Sequence, residues 1–398
     1  MDKRKNGRPK GGKELGLIDL EKYAIKIGYK VPKYFVVDDL AESTLEVIAE
    51  HFDGQDVVVR SNSLAENGEI GFDGIYESVV VEKCNFEKLI GAYQRVMDSL
   101  NSERAILYRK KVGVENDSMR VIVQKFMGKD GMHYTYFVVE TSVNPQGDIC
   151  VAMSSTHDFI NKEGLYYEKF FFNKEMKFIH GETDNTFNRI NAVCVAMFGA
   201  ELHEVFGPVQ LEGVLQQEKS ESFIAEPFFF QRRFLPKEIY QGVPEKVPEH
   251  YAENDILFRS RLYRGSGKFE HLPIIVMPEV SDGAIDRWEK QLKIKASQLE
   301  KKEFFLFVPK LNLGVRSSQI LNDYACLEGV RTIISYEDIS FASHAFKVAS
   351  FAGLPFVSIN GIHGNLPFEE KMQTLDKCSL FFTEDQAVFC LDEKHSLK

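Results

Sequence analysis

Short apolar runs rich in β-branched and aromatic residues alternate along this chain with longer stretches whose apolar positions recur at helical spacing. The first half reads as helix over Leu15–Ile27, strand over Tyr34–Val37, helix over Leu40–Phe52, strand over Asp56–Val59, helix over Phe86–Leu100 and strand over Arg120–Met127. Tyr134–Pro145 predicts two short strands, Thr186–Phe206 a long helix and Phe228–Phe230 a further strand. Leu235–His250 then breaks the pattern, with Pro236, Pro244 and Pro248 among charged residues, the composition of a linker. Beyond it come strands at Ile256–Arg264, Leu272–Met277 and Phe304–Val308, and a charged helix over Asp282–Lys302 with Ile285, Trp288, Leu292 and Leu299 on one face. A terminal strand pair, Ser379–Thr383 and Ala387–Leu391, flanks Glu384-Asp385-Gln386. The pattern predicts an α/β (α+β) chain in two parts, 1–234 and 256–398, joined by 235–255.

The stretch Thr332–Asn360 carries the sharpest chemistry. Two apolar runs, Thr332–Ser335 and Phe356–Ile359, enclose Ala345–Ala352, which is small and apolar and ends at Gly353-Leu354-Pro355, a helix stop. Ser343 is the N-cap of that helix and His344 stands at its mouth. A helix N-terminus offers unpaired N–H groups to a phosphoryl group and disfavours imidazolium, keeping the ring neutral and nucleophilic. The plain structural reading makes His344 the end of a core helix.

Other candidates precede it. Gly11-Gly12-Lys13 is either a flexible turn or a place where backbone and an ammonium group approach an anion. Asp56–Val59 delivers Arg60, whose planar fork suits phosphate oxygens, and a glycine-bearing loop follows through Gly68, Gly71 and Gly74. Gln124 lies within a strand. Glu212 follows the long helix, and Gln231-Arg232-Arg233 closes the strand after it.

Several of these stretches resemble one family. Ser343-His344-Ala345 with Val348-Ala349 and Gly353-Leu354-Pro355 is similar to the phosphohistidine segment of pyruvate phosphate dikinase and phosphoenolpyruvate synthase. VVVRSNSLAENGEIGFDGIYESVV, Val121-Ile122-Val123-Gln124, FGPVQLEGV and Gln231-Arg232-Arg233 resemble nucleotide-domain motifs of the same family, in the same order. The resemblance implies an ATP-grasp-like nucleotide-binding domain followed by a smaller swivelling β/β/α phosphohistidine domain. It implies ATP held by Lys13, Arg60, Gly74, Gln124, Glu212, Gln231 and Arg233, with Mg²⁺ on Glu212 and Gln231. Arg60 and Arg233 would neutralise the transferring phosphoryl group, and His344 would accept it with release of AMP.

The chain departs from the family at named places: Ile339-Ser340-Phe341 replace glycines, Ser350 an arginine and Phe234 a proline. Between Gly147 and Phe187 the family's G-L-G-E segment is missing. A pyruvate-binding (β/α)₈ barrel takes roughly 250 residues, more than follow the histidine segment. The acceptor is therefore expected to be a small molecule or to sit on a separate barrel-type subunit. The rival expectation is a non-catalytic nucleotide sensor built on the same fold.

Composition narrows the partners. A net charge of −10 over 398 residues argues against nucleic acid and against anionic membranes, and no apolar run has the length of a membrane span. The basic N-terminus lacks an apolar core and so is not a secretory signal. Six scattered cysteines without a CxxC pair read as reduced thiols of a cytoplasmic protein.

Overall fold

A computed structural model describes residues 10–38, 42–65, 75–111, 113–114, 116–128, 133–143, 147–155, 168–181, 186–217, 225–234, 245–252, 255–260, 263–265, 267–276, 294, 303–308, 329–335, 349, 354–359, 377–383 and 386–392. His344, Gly74, the Gly68 and Gly71 positions, nearly all of the Asp282–Lys302 stretch and most of Ala345–Ala352 lie outside them.

The first elements are helix α1 (Gly12–Ala24), strand β1 (Tyr34–Val37), α2 (Glu42–His51), β2 (Val57–Ser63), β3 (Ser78–Val81), α3 (Phe86–Asp98), α4 (Glu103–Lys111) and β4 (Met119–Lys125). The four strands form an antiparallel sheet in the order β1-β4-β2-β3. Period-two alternation sends Val57, Val59, Val121 and Val123 to one face, where they pack with Leu45, Ile48, Leu89 and Val96 of α2 and α3. Asn85 caps α3 by accepting from Lys88 N–H at 2.9 Å. The opposite face presents Arg60, Asn62, Arg120 and Gln124, the face that matters for the site.

The second sheet has six antiparallel strands: β5 (His133–Thr141), β6 (Ile149–Ser154), β7 (Glu168–Phe172), β8 (Phe178–Gly181), β9 (Val209–Gln217) and β10 (Glu226–Phe234), in the order β10-β9-β5-β6-β7-β8. The described part of Tyr134–Pro145 thus holds one strand, ending at Thr141, and not two, because no glycine or proline interrupts the run up to there. Helix α5 (Thr186–Phe206) covers one face, burying Val195, Phe198 and Leu202 against Phe137, Val139, Leu211 and Phe229.

Helix α1 bridges the two sheets. Its contact with β10 is close enough that a Cβ on Gly16 would lie 2.5 Å from the Arg232 carbonyl oxygen, so only glycine allows it. Gly16→Ala is expected to lower stability by about 1–3 kcal/mol through overpacking. Denaturant unfolding tests this, and an unchanged midpoint would mean that α1 shifts without cost.

Residues after 255 form two further sheets. The strands are β11 (Ile256–Ser260), β12 (Tyr263–Arg264), β13 (Lys268–Leu272), β14 (Ile274–Val276), β15 (Phe304–Val308), β16 (Val330–Ser335), β17 (Phe356–Ser358), β18 (Cys378–Phe382) and β19 (Ala387–Leu391). One sheet is antiparallel, β11-β19-β18-β13, and the other runs β12-β17-β16-β15-β14 with β14 to β17 parallel. Phe258, Leu380 and Phe389 of the first pack against Phe305, Ile334 and Val357 of the second.

Two single-strand expectations are corrected here. Ile256–Arg264 divides into β11 and β12, which join different sheets. Leu272–Met277 divides at Pro273, which has no N–H to offer a ladder; its carbonyl instead accepts from Phe305 N–H at 2.9 Å. Of the unit around residue 344, the described part is its two strands, β16 and β17, which are parallel neighbours. Leu354 N–H donates to the Ala349 carbonyl at 2.9 Å. Among the described residues no helix is long and apolar enough to cross a membrane.

Candidate functional site

The site forms where the polar face of the four-stranded sheet meets the face of the six-stranded one that lies opposite α5. Residues directly opposite one another in antiparallel strands share a face. The register therefore lines up Lys169, Ala152, Val138, Glu212 and Gln231 across five strands. Two residues along each strand, Phe171, Cys150, Glu140, Gln210 and Arg233 form the next row. In the other direction the face turns apolar, with Tyr136, Val138, Ala152, Val214 and Phe228 clustered against Met127. One end of this face thus suits a flat apolar group and the other a charged one.

Arg60 joins the two sheets. Its guanidinium donates to Gln124 Oε1 at 3.3 Å and to the Phe230 carbonyl at 3.2 Å, next to Gln231. A β-bulge between Phe229 and Gln231 re-aims the end of β10, so that Gln231 opposes Glu212. Arg233 lies 3.6 Å from Glu212. Lys13, in the first turn of α1, reaches Ser61 Oγ at 3.4 Å. Six of the eight residues expected from the sequence therefore sit on elements that border one cleft: Lys13, Arg60, Gln124, Glu212, Gln231 and Arg233. The other two, Gly74 and His344, lie outside the described residues.

The amide of Gln231 is 1% exposed, and neither its oxygen nor its nitrogen has a hydrogen-bond partner among the described residues. The nitrogen of buried Gln124 is likewise unbonded. A buried unpaired polar group costs about 1–3 kcal/mol, so these amides are donors and acceptors that the described residues leave open to a further partner. Beside the Glu212 carboxylate, an amide oxygen makes a hard-oxygen donor pair that fits Mg²⁺. Among the described residues no three His, Cys, Asp or Glu side chains gather into a metal cluster, so a cation here would draw on Gln231 and on its own ligands.

Sequence reasoning missed the supports of this cleft. Glu14 sits between Arg120 at 3.0 Å and Asn62, whose amide oxygen accepts from Glu14 N–H at 3.2 Å. Asp19 pairs with Arg232 at 2.5 Å, both almost fully buried, fastening α1 to β10. Lys169 and Glu140 are buried on the same face, and Gln210 donates to Glu140. A lysine inside the run EKFFF was the available signal for Lys169. Asp117 holds both borders of the 66–74 segment, accepting from Ser63 Oγ at 2.5 Å, Ala65 N–H at 3.0 Å and Tyr76 Oη at 2.6 Å. Burial and that carboxylate push the Tyr76 hydroxyl well above its ordinary pKa, so it stays a donor.

Residues 11–154 match the family model "Pyruvate phosphate dikinase, AMP/ATP-binding domain". This dikinase-type match covers Lys13, Arg60 and Gln124 and stops before Glu212. Comparison with curated proteins gave no match. Similar solved structures include D-alanyl-alanine synthetase A from Vibrio cholerae, at 10% identity and TM-score 0.28, covering 55% of this chain and 54% of that one. A second is N5-carboxyaminoimidazole synthase from Aspergillus clavatus, at 10% and 0.29, covering 55% and 43%. A third is a dinucleotide-forming acetyl-coenzyme A synthetase from Ca. Korarchaeum cryptofilum, at 13% and 0.34, covering 57% and 95%. The chain spans about half the length of the first two, 54% and 43%.

Proposed function

We propose that this chain binds ATP in the cleft between the two N-terminal sheets and uses it to phosphorylate His344, releasing AMP. The phosphoryl group then passes to an acceptor, a small molecule or a partner subunit. The observation that carries the reading is the convergence of Arg60, Gln124 and the end of β10 beside a face that is apolar at one end and charged at the other. The apolar end takes the adenine ring; Lys13, Arg60 and Arg233 take the polyphosphate. The match over residues 11–154 to a nucleotide-binding domain supports the same assignment.

In this reading the neutral imidazole of His344 attacks the β-phosphorus and the bond to the α–β bridging oxygen breaks, with AMP as the leaving group and a pyrophosphoryl group on the ring; the γ-phosphoryl then passes to water or inorganic phosphate, leaving the phosphohistidine. Arg60 and Arg233 offset the charge that builds on the non-bridging oxygens. Glu212 and Gln231 would hold Mg²⁺, which supplies further neutralisation of the polyphosphate. Residues 1–234 then form the nucleotide domain and 256–398 the carrier domain, with 235–255 between. Glu245 N–H bonds to the Phe382 carbonyl at 2.8 Å, and Val247 and Tyr251 pack on Phe381 and Val388. Residues 245–251 of the stretch between them thus pack on the carrier's antiparallel sheet.

The test is label transfer. With Mg²⁺ and β-labelled ATP, the full chain is expected to take up acid-labile, base-stable label, and His344→Ala to lose it. Nucleotide binding by calorimetry with no label on the wild type would replace this reading with that of a nucleotide sensor. The absent G-L-G-E segment is the feature that favours the sensor.

A further inference from the structure

Helix α1 starts against the rules that ordinarily start a helix. Its N-cap is Gly11, which has no side chain to accept from the first backbone N–H groups. The acceptor comes from another element instead. Asn62 Oδ1, on β2, takes the Glu14 N–H at 3.2 Å, from 48 positions away. Asn62 is fully buried, and its amide nitrogen donates in return to Glu14 Oε2 at 3.4 Å. The contact leaves no slack, because a Cβ on Gly11 would lie 2.1 Å from Asn62 Oδ1. The same first turn carries Lys13, whose ammonium reaches Ser61 Oγ at 3.4 Å.

Local electrostatics does not favour this lysine. A cation in the first turn opposes the helix dipole, and the acid beside it, Glu14, is engaged by Arg120 at 3.0 Å. Arg120 also pairs with Asp38, at 3.1 Å. A helix start capped from a distance and bearing the unfavourable charge is the kind of local conflict that a functional site sustains. Asn62 also connects two cations of the cleft. It lies two residues beyond Arg60 on β2, so both side chains leave the same face of the sheet. The cap therefore fixes the start of α1, and Lys13 with it, relative to Arg60.

We propose that Asn62 is the positioning residue of Lys13, setting its ammonium on the same polyphosphate as the Arg60 guanidinium. The inference rests on the nucleotide reading of the cleft and adds to it how the two cations are spaced. Asn62 touches no phosphate itself. Without its amide the first turn of α1 frays and the ammonium leaves its place by Ser61.

The experiment is a double-mutant cycle in the full-length chain, read by calorimetric titration with Mg²⁺ and α,β-methylene-ATP, whose α–β link does not break. Asn62→Ala is expected to weaken binding about tenfold when Lys13 is present, and less than about twofold in the Lys13→Met background. Gly11→Ala, which displaces the same amide from the opposite side, is expected to repeat the pattern. Equal losses in the two backgrounds would overturn the proposal, since a general loosening of the fold does not depend on Lys13. In parallel, acetylation of amines followed by peptide mass spectrometry reads Lys13 with no nucleotide present. In the wild type Lys13 is expected to react several-fold more slowly than Lys174, whose side chain is 72% exposed, and to lose that protection in Asn62→Ala. Lys13 reacting as fast as Lys174 in the wild type would overturn the proposal whether or not the variants fold. A wild type that binds no nucleotide, with Lys13 still released by Asn62→Ala, would overturn the nucleotide reading and keep only the hold of Asn62 on Lys13.

Discussion

Asp19→Ala is expected to destabilise the protein by about 3–5 kcal/mol, because it removes the carboxylate that faces the buried Arg232 guanidinium. That guanidinium is 1% exposed, bonds Asp19 at 2.5 Å and lies 4.6 Å from the centre of the Phe206 ring. The size of the effect comes from the charge left behind and not from the net worth of the pair. Replacing both partners together, as Asp19→Leu with Arg232→Met, is expected to recover most of the loss, since two apolar groups need no desolvation. Urea unfolding of the single and double variants measures both quantities. A single variant within 1 kcal/mol of wild type would mean that α1 is not fastened to β10 through this pair. Loss of the fastening would also disturb Lys13, which the first turn of the same helix carries.

Arg60→Ala is expected to cost about 10²–10³-fold in the rate of ATP-dependent labelling, the usual consequence of removing one donor aimed at developing charge. Arg60→Lys is expected to rescue little of it, because a point charge cannot hold Gln124 and the Phe230 carbonyl while gripping phosphate oxygens. Single-turnover labelling alongside calorimetric titration with ATP separates rate from affinity. Wild-type labelling in Arg60→Ala would move the nucleotide out of the cleft between the two sheets. A variant that loses affinity and keeps the rate at saturating ATP would make Arg60 a binding group alone.

Much of the architecture was readable one element at a time. Tyr34–Val37, Thr186–Phe206, Phe304–Val308 and Ala387–Leu391 have the bounds that their apolar spacing predicts, since each is a local pattern bounded by polar or turn residues. Val57–Val59 and Val121–Val123 are continuous apolar runs that marked strands, while the tertiary packing decided which of their faces is buried. Local reasoning failed where partners decide the outcome. Nothing within Ile256–Arg264 says that its two ends pair with β19 and β17 in different sheets. The apolar run Leu272–Met277 masked the break that Pro273 imposes on the ladder.

The same division holds for the site. Arg60, Gln124, Glu212, Gln231 and Arg233 were singled out from short stretches of residue types suited to phosphate and metal. Their supports were not, because Asp19 and Arg232 are 213 positions apart and Glu14 and Arg120 are 106 apart. Each member, taken alone, reads as an ordinary solvated charge. By itself the sequence determined most of the elements and offered residue types suited to a polyphosphate, both of which depend on near neighbours in the chain. Only the tertiary structure decided which charges are buried and which amides are left without a partner among the described residues. Those properties depend on strand register and on desolvation, and both are set by residues far away along the chain.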